Sequence, residues 1–331
     1  MGHMLALYSR DPAVTRLFAG LRNTPLPEPR FDIAGSMFWS FGSAWLEGVT
    51  EIVPSFSDPG SPGIVARFGI AAVDRSGRTS CVDFDPIGGS FPTPPRRMAA
   101  PGLSLDIDTL KVETPLQSLE VRVDFAGGRS PSPAAIIAFS FRTAGGTAGS
   151  GAALGEIDLF VPQVSQYAQS ESIGHRICSP TSVAMVLGYY GVNAPALEVA
   201  ERAYVPSHDL FGVWPANIGA AATFGVAGAL CHLSTWESVD YFLWRNIPVI
   251  ASIRYTAHDL RDAAFYRPAG EKTAHLVVVR GARNGRVVVN DPAGRTESEV
   301  RREYDAAEFA RVWFEGSGMA YILIPPGSPR W

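Results

Sequence analysis

The sequence predicts an α+β protein, with an all-β sandwich first and a mixed unit of helices and antiparallel strands behind it. Three observations carry this. Between residues 31 and 142, short β-patterned runs alternate with turns rich in Gly and Pro. Residues 143–155 are mostly Gly, Ala, Ser and Thr and read as a flexible linker. From Asp158 onward, helical patterns come first and strand patterns follow, which is an α+β plan. The expected division is residues 1–30 as a cloning remnant and an N-terminal arm, 31–142 as the sandwich, 143–156 as the linker and 157–331 as the second domain.

Composition limits the rest. The chain has 331 residues, enough for roughly two domains, and 46% of them are hydrophobic, so real cores can form. A formal net charge of -4 implies no polyanion partner, and so no nucleic acid. No apolar run of about 18 residues is present, so no membrane span is expected. Cys81, Cys178 and Cys231 form no CxxC pair and no zinc-finger spacing, and no His pair stands at i, i+4; neither metal nor cofactor is expected. The start, Met1-Gly2-His3-Met4, resembles a cloning remnant, so the absence of a signal peptide carries no message about location.

Residues 11–29 are polar and proline-rich around a short apolar piece, Val14 to Leu21, and suggest a short helix and an arm. Strands are expected over residues 36–39, 50–54, 63–74, 80–84, 116–125 and 134–141, with Arg75-Ser76-Gly77 turning one into the next. Cys81 lies on one of these strands with no His or acid near it, as a core cysteine would.

In the second half, residues 177–191 read as a helix that begins at Cys178. Pro180 fits a first helical turn, and Ser179, Thr181 and Ser182 offer oxygens to the unpaired N–H groups there. Val183, Met185, Val186, Leu187 and Tyr190 are apolar on more than one face, which predicts burial, and Gly191 is placed to end the helix. Further helices are expected over residues 194–202, 217–224, 236–245 and 309–313. Strands are expected over 249–253, 275–281, 286–290 and 320–324, with Asn284-Gly285 as a hairpin turn.

A thiol at a helix N-terminus sits in the positive end of the macrodipole, which favours thiolate. A nucleophilic thiol needs a base, and the base an orienting acceptor. His275 opens one strand and Asp291 follows the next strand of the same hairpin, so the two can lie at neighbouring strand ends. Each feature alone has a plainer reading: a buried inert cysteine, a structural histidine, an Asp-Pro turn. Their conjunction points to a Cys-His-Asp triad.

The motifs around these three residues resemble a known family. Val161-Pro162-Gln163-Val164-Ser165-Gln166, Cys178-Ser179-Pro180-Thr181-Ser182, Ala274-His275-Leu276-Val277-Val278-Val279-Arg280-Gly281 and Val288-Val289-Asn290-Asp291-Pro292-Ala293 follow in this order. They are similar to papain-like cysteine peptidases related to the double-glycine leader peptidases that process bacteriocins, and most to a free-standing bacterial branch with a β-sandwich in front. Leu105-Asp106-Ile107-Asp108-Thr109-Leu110 and Leu119-Glu120-Val121-Arg122-Val123 resemble that branch's sandwich.

The resemblance implies a papain-like second domain. Cys178 is the implied nucleophile, His275 its base and acid, Asp291 the residue that orients His275, and Gln166 an oxyanion donor beside the backbone N–H of Cys178. Gln163 and Gln169 compete with Gln166 for that role. Gly212-Val213-Trp214-Pro215-Ala216-Asn217 matches a Trp-Pro-x-Asn element of the branch, so Trp214 and Asn217 are implied substrate contacts, with a core role for Trp214 as the alternative. The implied substrate is a peptide or a peptide-containing cell-wall fragment, and the branch favours an extracytoplasmic setting. Transporter domains do not follow, so leader cleavage is not implied. The polar segment 255–273, running into His275, reads as a lid or as a surface excursion. Two other functions stay open: acyl or peptidyl transfer at the same site, and a catalytically silent binding protein.

Overall fold

In residues 116–125, Leu116, Leu119, Val121, Val123 and Phe125 are buried and the residues between them are not, and such alternation makes a strand with one wet face. The computed structural model describes residues 3–21, 23–95, 97–98, 102–144, 154–267 and 271–327. Its first half holds β1 (Met4–Ser9), α1 (Pro12–Phe18), β2 (Asn23–Pro25), β3 (Arg30–Phe31), β4 (Met37–Gly42), α2 (Ser43–Leu46), β5 (Val49–Ser57), β6 (Ala66–Asp74), β7 (Thr79–Asp83), β8 (Arg97–Met98), β9 (Leu103–Asp106), β10 (Thr109–Val112), β11 (Leu116–Phe125) and β12 (Ile136–Thr143). They form two six-stranded sheets, β2-β1-β12-β5-β10-β9 and β3-β4-β11-β6-β7-β8. Every β-run anticipated in this half overlaps a strand of one of them, the run over 63–74 starting three residues late, at Ala66.

The two sheets enclose one core, in which Trp39, Phe41, Phe68, Phe139 and Phe141 meet edge to face. The second sheet turns its other side outward and covers it with ion pairs such as Arg30–Glu120 at 2.6 Å and Arg122–Asp83 at 3.3 Å. The first sheet has no such wet face over β12, whose residues 136–141 are all buried. Ile137, Phe139 and Phe141 enter the sandwich core, while Ile136 and Ala138 join Leu5, Leu7 and Val53 in the core of the second half. A run buried on both sides reads as continuously apolar rather than alternating.

Residues 1–30 depart from the expectation. Met4, anticipated as foreign to the fold, opens β1, which pairs with β12 from Met4↔Phe141 to Ser9↔Ile136. The short helix is α1, capped by the Asp11 carboxylate accepting from the Ala13 N–H at 2.8 Å and started by Pro12.

The β9–β10 hairpin turns in two residues, Ile107 and Asp108. Ile107 has φ 56°, in the left-handed region. Two-residue hairpins with a positive φ at the first position put glycine there, and a β-branched residue is strained by about 1–3 kcal/mol.

The expected linker, 143–156, falls largely on residues 145–153, which lie outside the described ones. Beyond it come β13 (Ile157–Asp158), α3 (Cys178–Tyr189), α4 (Ala196–Ala203), α5 (Trp214–Thr223), β14 (Gly228–His232), α6 (Trp236–Leu243), β15 (Val249–Tyr255), β16 (Thr273–Arg283), β17 (Arg286–Asn290), β18 (Arg301–Asp305), α7 (Ala306–Ala310) and β19 (Met319–Leu323). A third, antiparallel sheet runs β14-β19-β15-β16-β17-β18, with β13 added on β16. α5 starts earlier than anticipated because Pro215 suits its first turn. The expected last helix is α7, continued by a π-helical turn, Arg311–Ser317. β14 and β18 were not anticipated.

β14 is an edge strand whose free backbone groups meet serines of the sandwich. Ser57 donates its hydroxyl to the Gly228 carbonyl at 2.8 Å and accepts the Gly228 N–H at 3.0 Å. Ser55 accepts from the Leu230 N–H at 3.1 Å, and Ser140 from the His232 N–H at 2.8 Å. Residues 228, 230 and 232 share one edge by period, so three side chains finish what a neighbouring strand would.

Candidate active site

α3 is buried on nearly all sides, from Ser179 to Leu187, and begins at Cys178. Its N-terminus is held against the sheet by the Ser182 hydroxyl donating to the Leu276 carbonyl at 3.2 Å and by a 2.9 Å bond between the Ser179 and Tyr321 hydroxyls. Cys178 itself is half-buried and opens onto a cleft of about 420 Å³ that Gln166, His275 and Trp214 also line. As the first helical residue, its N–H has no carbonyl one turn behind to bond.

The hairpin register brings His275 to Asp291. Val278 pairs with Asn290, so the continued register sets Asp291 across from Val277, which shares a sheet face with His275. The His275 Nε2–H donates to Asp291 Oδ1 at 2.7 Å, leaving Nδ1 for the thiol, and both residues are 1% exposed. The Asp291 carboxylate also accepts from the Ala293 N–H at 2.9 Å and from the Tyr304 hydroxyl at 2.9 Å. Burial favours the neutral form of each group, and the hydrogen-bonded charges overrule it. Asp291 holds His275 up at about 10. His275, with the N–H groups of Leu276 and Ser179, holds the Cys178 thiol below its ordinary value. Asp291 is itself held low, chiefly by His275.

Gln166 is 2% exposed and reaches the same cleft because its segment is laced to the turn after β17. Its N–H donates to the Pro292 carbonyl at 2.8 Å, and the Ser165 hydroxyl donates to the Gly294 carbonyl at 2.5 Å. Upstream, Asn290 Nδ2 donates to the Val161 and Pro162 carbonyls, and Arg280 bonds both Asn290 Oδ1 and Asp158. Gly174 packs on the Gln166 backbone so closely that a Cβ would stand 2.8 Å from its carbonyl oxygen. The side-chain carbonyl of Gln166 is buried with no partner among the described residues. The amide of Gln169 is spent on the Ser165 carbonyl at 3.2 Å, and neither Gln169 nor Gln163 lines the cleft.

Trp214 is half-buried and lines the cleft at the start of α5. Asn217 does not reach it. It is fully buried, and its Nδ2 donates to the Phe211 and Val213 carbonyls at 2.8 and 2.9 Å, bracing the loop that carries Trp214. Three side chains around the site escaped sequence reasoning. Tyr304 sits on β18, itself unanticipated. Phe265, from the 255–273 segment, stands edge-on to the His275 ring at 5.1 Å. Ile107, from the sandwich, lines the same cleft. An aromatic in a polar stretch ten residues before His275 was the one available signal for Phe265. Residues 268–270 of that segment lie outside the described ones; Arg261 ties it down through Glu308 at 2.6 Å.

Residues 159–321 match the Peptidase_C39 like family. This stretch of the chain belongs to that family. The protein is accordingly a cysteine peptidase. Two solved structures show a weak likeness. A C39-like peptidase from Bacillus anthracis is 16% identical, over 51% of this chain and 98% of that one, with a TM-score of 0.39. A double glycine motif protease from an AMS/PCAT transporter, in complex with the leader peptide, is 19% identical, over 52% and 97%, with a TM-score of 0.34. No curated relative matches the chain. Among the described residues, no group of three His, Cys, Asp or Glu could hold a metal ion, and no helix is long and apolar enough to cross a membrane.

Proposed function

We propose that this cysteine peptidase cleaves peptide bonds through Cys178, His275 and Asp291, with Gln166 and the Cys178 N–H as the oxyanion site. One observation carries the reading: a buried imidazole is held between a carboxylate at 2.7 Å and a thiol at a helix start. The Cys178 thiolate attacks the scissile carbonyl, and the oxyanion that forms lies between the Cys178 N–H and the Gln166 amide. His275, cationic in the resting pair, gives its Nδ1 proton to the leaving amine as the C–N bond breaks. A thioester remains. Neutral His275 then takes a proton from water, the hydroxide adds to the thioester, and the acid departs as the thiolate and imidazolium return. Asp291 keeps the ring in the tautomer and tilt that this needs. The cleft walls choose the peptide, and Asp106, Ile107, Asp108 and Thr109 of the first half stand among them.

Thiol-directed labelling tests this. An iodoacetamide reaction followed by intact-mass and peptide analysis should modify Cys178 first and at pH values below the ordinary thiol range. Cys231, buried and pushed up by burial, should stay unmodified. Equal labelling of all three cysteines, or none at Cys178 with full activity retained, would sink the mechanism.

A further inference from the structure

The tip of the β9–β10 hairpin belongs to the sandwich, yet it stands in the cleft. Asp108 Oδ2 accepts the Trp214 N–H at 2.8 Å at the start of α5, which docks the tip beside the 210–214 loop. Ile107 is thereby set next to Val213, with Leu210, Phe211 and Trp214 in the same wall. Charged groups line the cleft as well: Arg254 and Arg267, the Asp106 and Asp108 carboxylates beside Ile107, and Arg176, whose guanidinium lies 5.3 Å from the Phe211 ring centre. Ile107 is half-buried and holds φ 56°, where glycine or asparagine would rest without strain. The residue that suits the turn is therefore not the residue present. A strained side chain persists where the side chain itself is used. This one adds a branched apolar surface to the cleft that Cys178 also lines.

We propose that Ile107 is a specificity-determining residue of the peptidase, forming with Phe211, Val213 and Trp214 an apolar subsite for a bulky aliphatic or aromatic side chain flanking the scissile bond. The proposal rests on the reading of Cys178 as nucleophile. It assigns the sandwich a part in substrate choice: the second half supplies the chemistry and one half of the subsite, and the hairpin tip supplies the rest.

The test is a cleavage profile of the full chain on a mixed peptide library, with cut sites read by mass spectrometry, for wild type, I107G and I107N. Both replacements accept a positive φ, so each keeps the turn. Wild type should enrich Leu, Ile, Val or Phe over Ala and Gly at one position near the cut by about tenfold, as loss of a few methyl groups in an apolar pocket changes selection. In both variants that enrichment should fall below about threefold. Preferences at other positions and the melting temperature should hold, or the latter rise. An unchanged profile in I107G and I107N overturns the proposal. So does a uniform loss of cutting with a lowered melting temperature, which marks a purely structural residue. If wild type cuts nothing in the library and Cys178 shows no selective labelling, the proposed function falls and takes this inference with it. Selective labelling and cutting with no apolar preference removes this inference alone.

Discussion

Replacing Asp291 by Asn separates charge from shape. The amide fills the same volume, its oxygen can still accept from His275 Nε2 and the Ala293 N–H, and its nitrogen meets a Tyr304 hydroxyl that can turn to accept. What is lost is the anion that raises His275 to about 10 against the cost of burial. Without it the imidazolium is no longer favoured, and the thiol loses the cation that lowers it. D291N should therefore reduce kcat/KM by up to about 10⁴, the scale of losing imidazole orientation and charge in such triads. The pH profile is the sharper readout. In wild type the acid limb follows the lowered Cys178 thiol and the alkaline limb follows His275 near 10. In D291N the acid limb should move up and the alkaline limb down. Stability carries the same sign. His275, raised on folding, contributes stability that is full below about 6.5 and lost as pH climbs through about 10. Asp291, lowered, contributes stability above about 4 that is lost as pH falls through its folded value. The wild-type advantage over D291N in a urea titration should then be greatest between about pH 4 and 6.5. A D291N enzyme with the wild-type rate and an unmoved profile would refute the assignment of both residues.

Gln166→Ala should lower kcat by roughly 10²–10³, while Gln169→Ala should cost much less; a reporter-peptide series in which the order reverses moves the oxyanion site to Gln169. Ser57→Ala leaves the Gly228 N–H and carbonyl buried and unpaired, at about 1–3 kcal/mol, so chemical denaturation should shift the whole chain to lower stability in one transition. Two separated transitions, with only the first moved, would contradict the shared core. Asp108 is pushed up to about 6 by burial, so its charge costs stability as pH rises from about 4 through 6. Asp108→Asn should match wild type near pH 3.5 and exceed it at pH 8 in thermal melts, and a variant less stable at pH 8 would count against a strained carboxylate.

Much of the fold could be read because its signals are local. The β11 alternation, the Asn284-Gly285 turn and the Pro180 helix start each follow from a few neighbouring residues. Cys178, His275 and Asp291 were legible for the same reason: a helix start and two ends of one hairpin fix where the side chains point. What stayed hidden depends on partners far along the chain. β1 is six residues whose strand character comes from lying beside β12, and β14 is held by serines about 170 residues upstream. Asn217 was implied as a substrate contact by the Trp-Pro-x-Asn match, but its amide turns inward and is spent on the Phe211 and Val213 carbonyls, a loop contact that the motif does not reveal. Ile107 gave no sign in the sequence, since nothing in Leu105-Asp106-Ile107-Asp108 reveals that a positive φ falls on the isoleucine.

The position of that hairpin bears on how the cleft is formed. β10 is hydrogen-bonded to β5 through Leu110↔Ile52 and Lys111↔Glu51. β5 also holds the edge of the third sheet through Ser55 and Ser57, and the tip beyond β10 holds α5 through Asp108 and the Trp214 N–H. The tip is thus fixed to the second half at two places, one through a sheet and one directly. α5 lies in the same buried core as α3, which carries Cys178. Moving such a wall breaks the Asp108–Trp214 bond, and moving β5 with it breaks the buried serine bonds, which are expensive to leave unmade. Under the proposed function, the cleft is then built before a peptide arrives, and selection of side chains in it is set by shape at the moment of binding rather than by closure afterward.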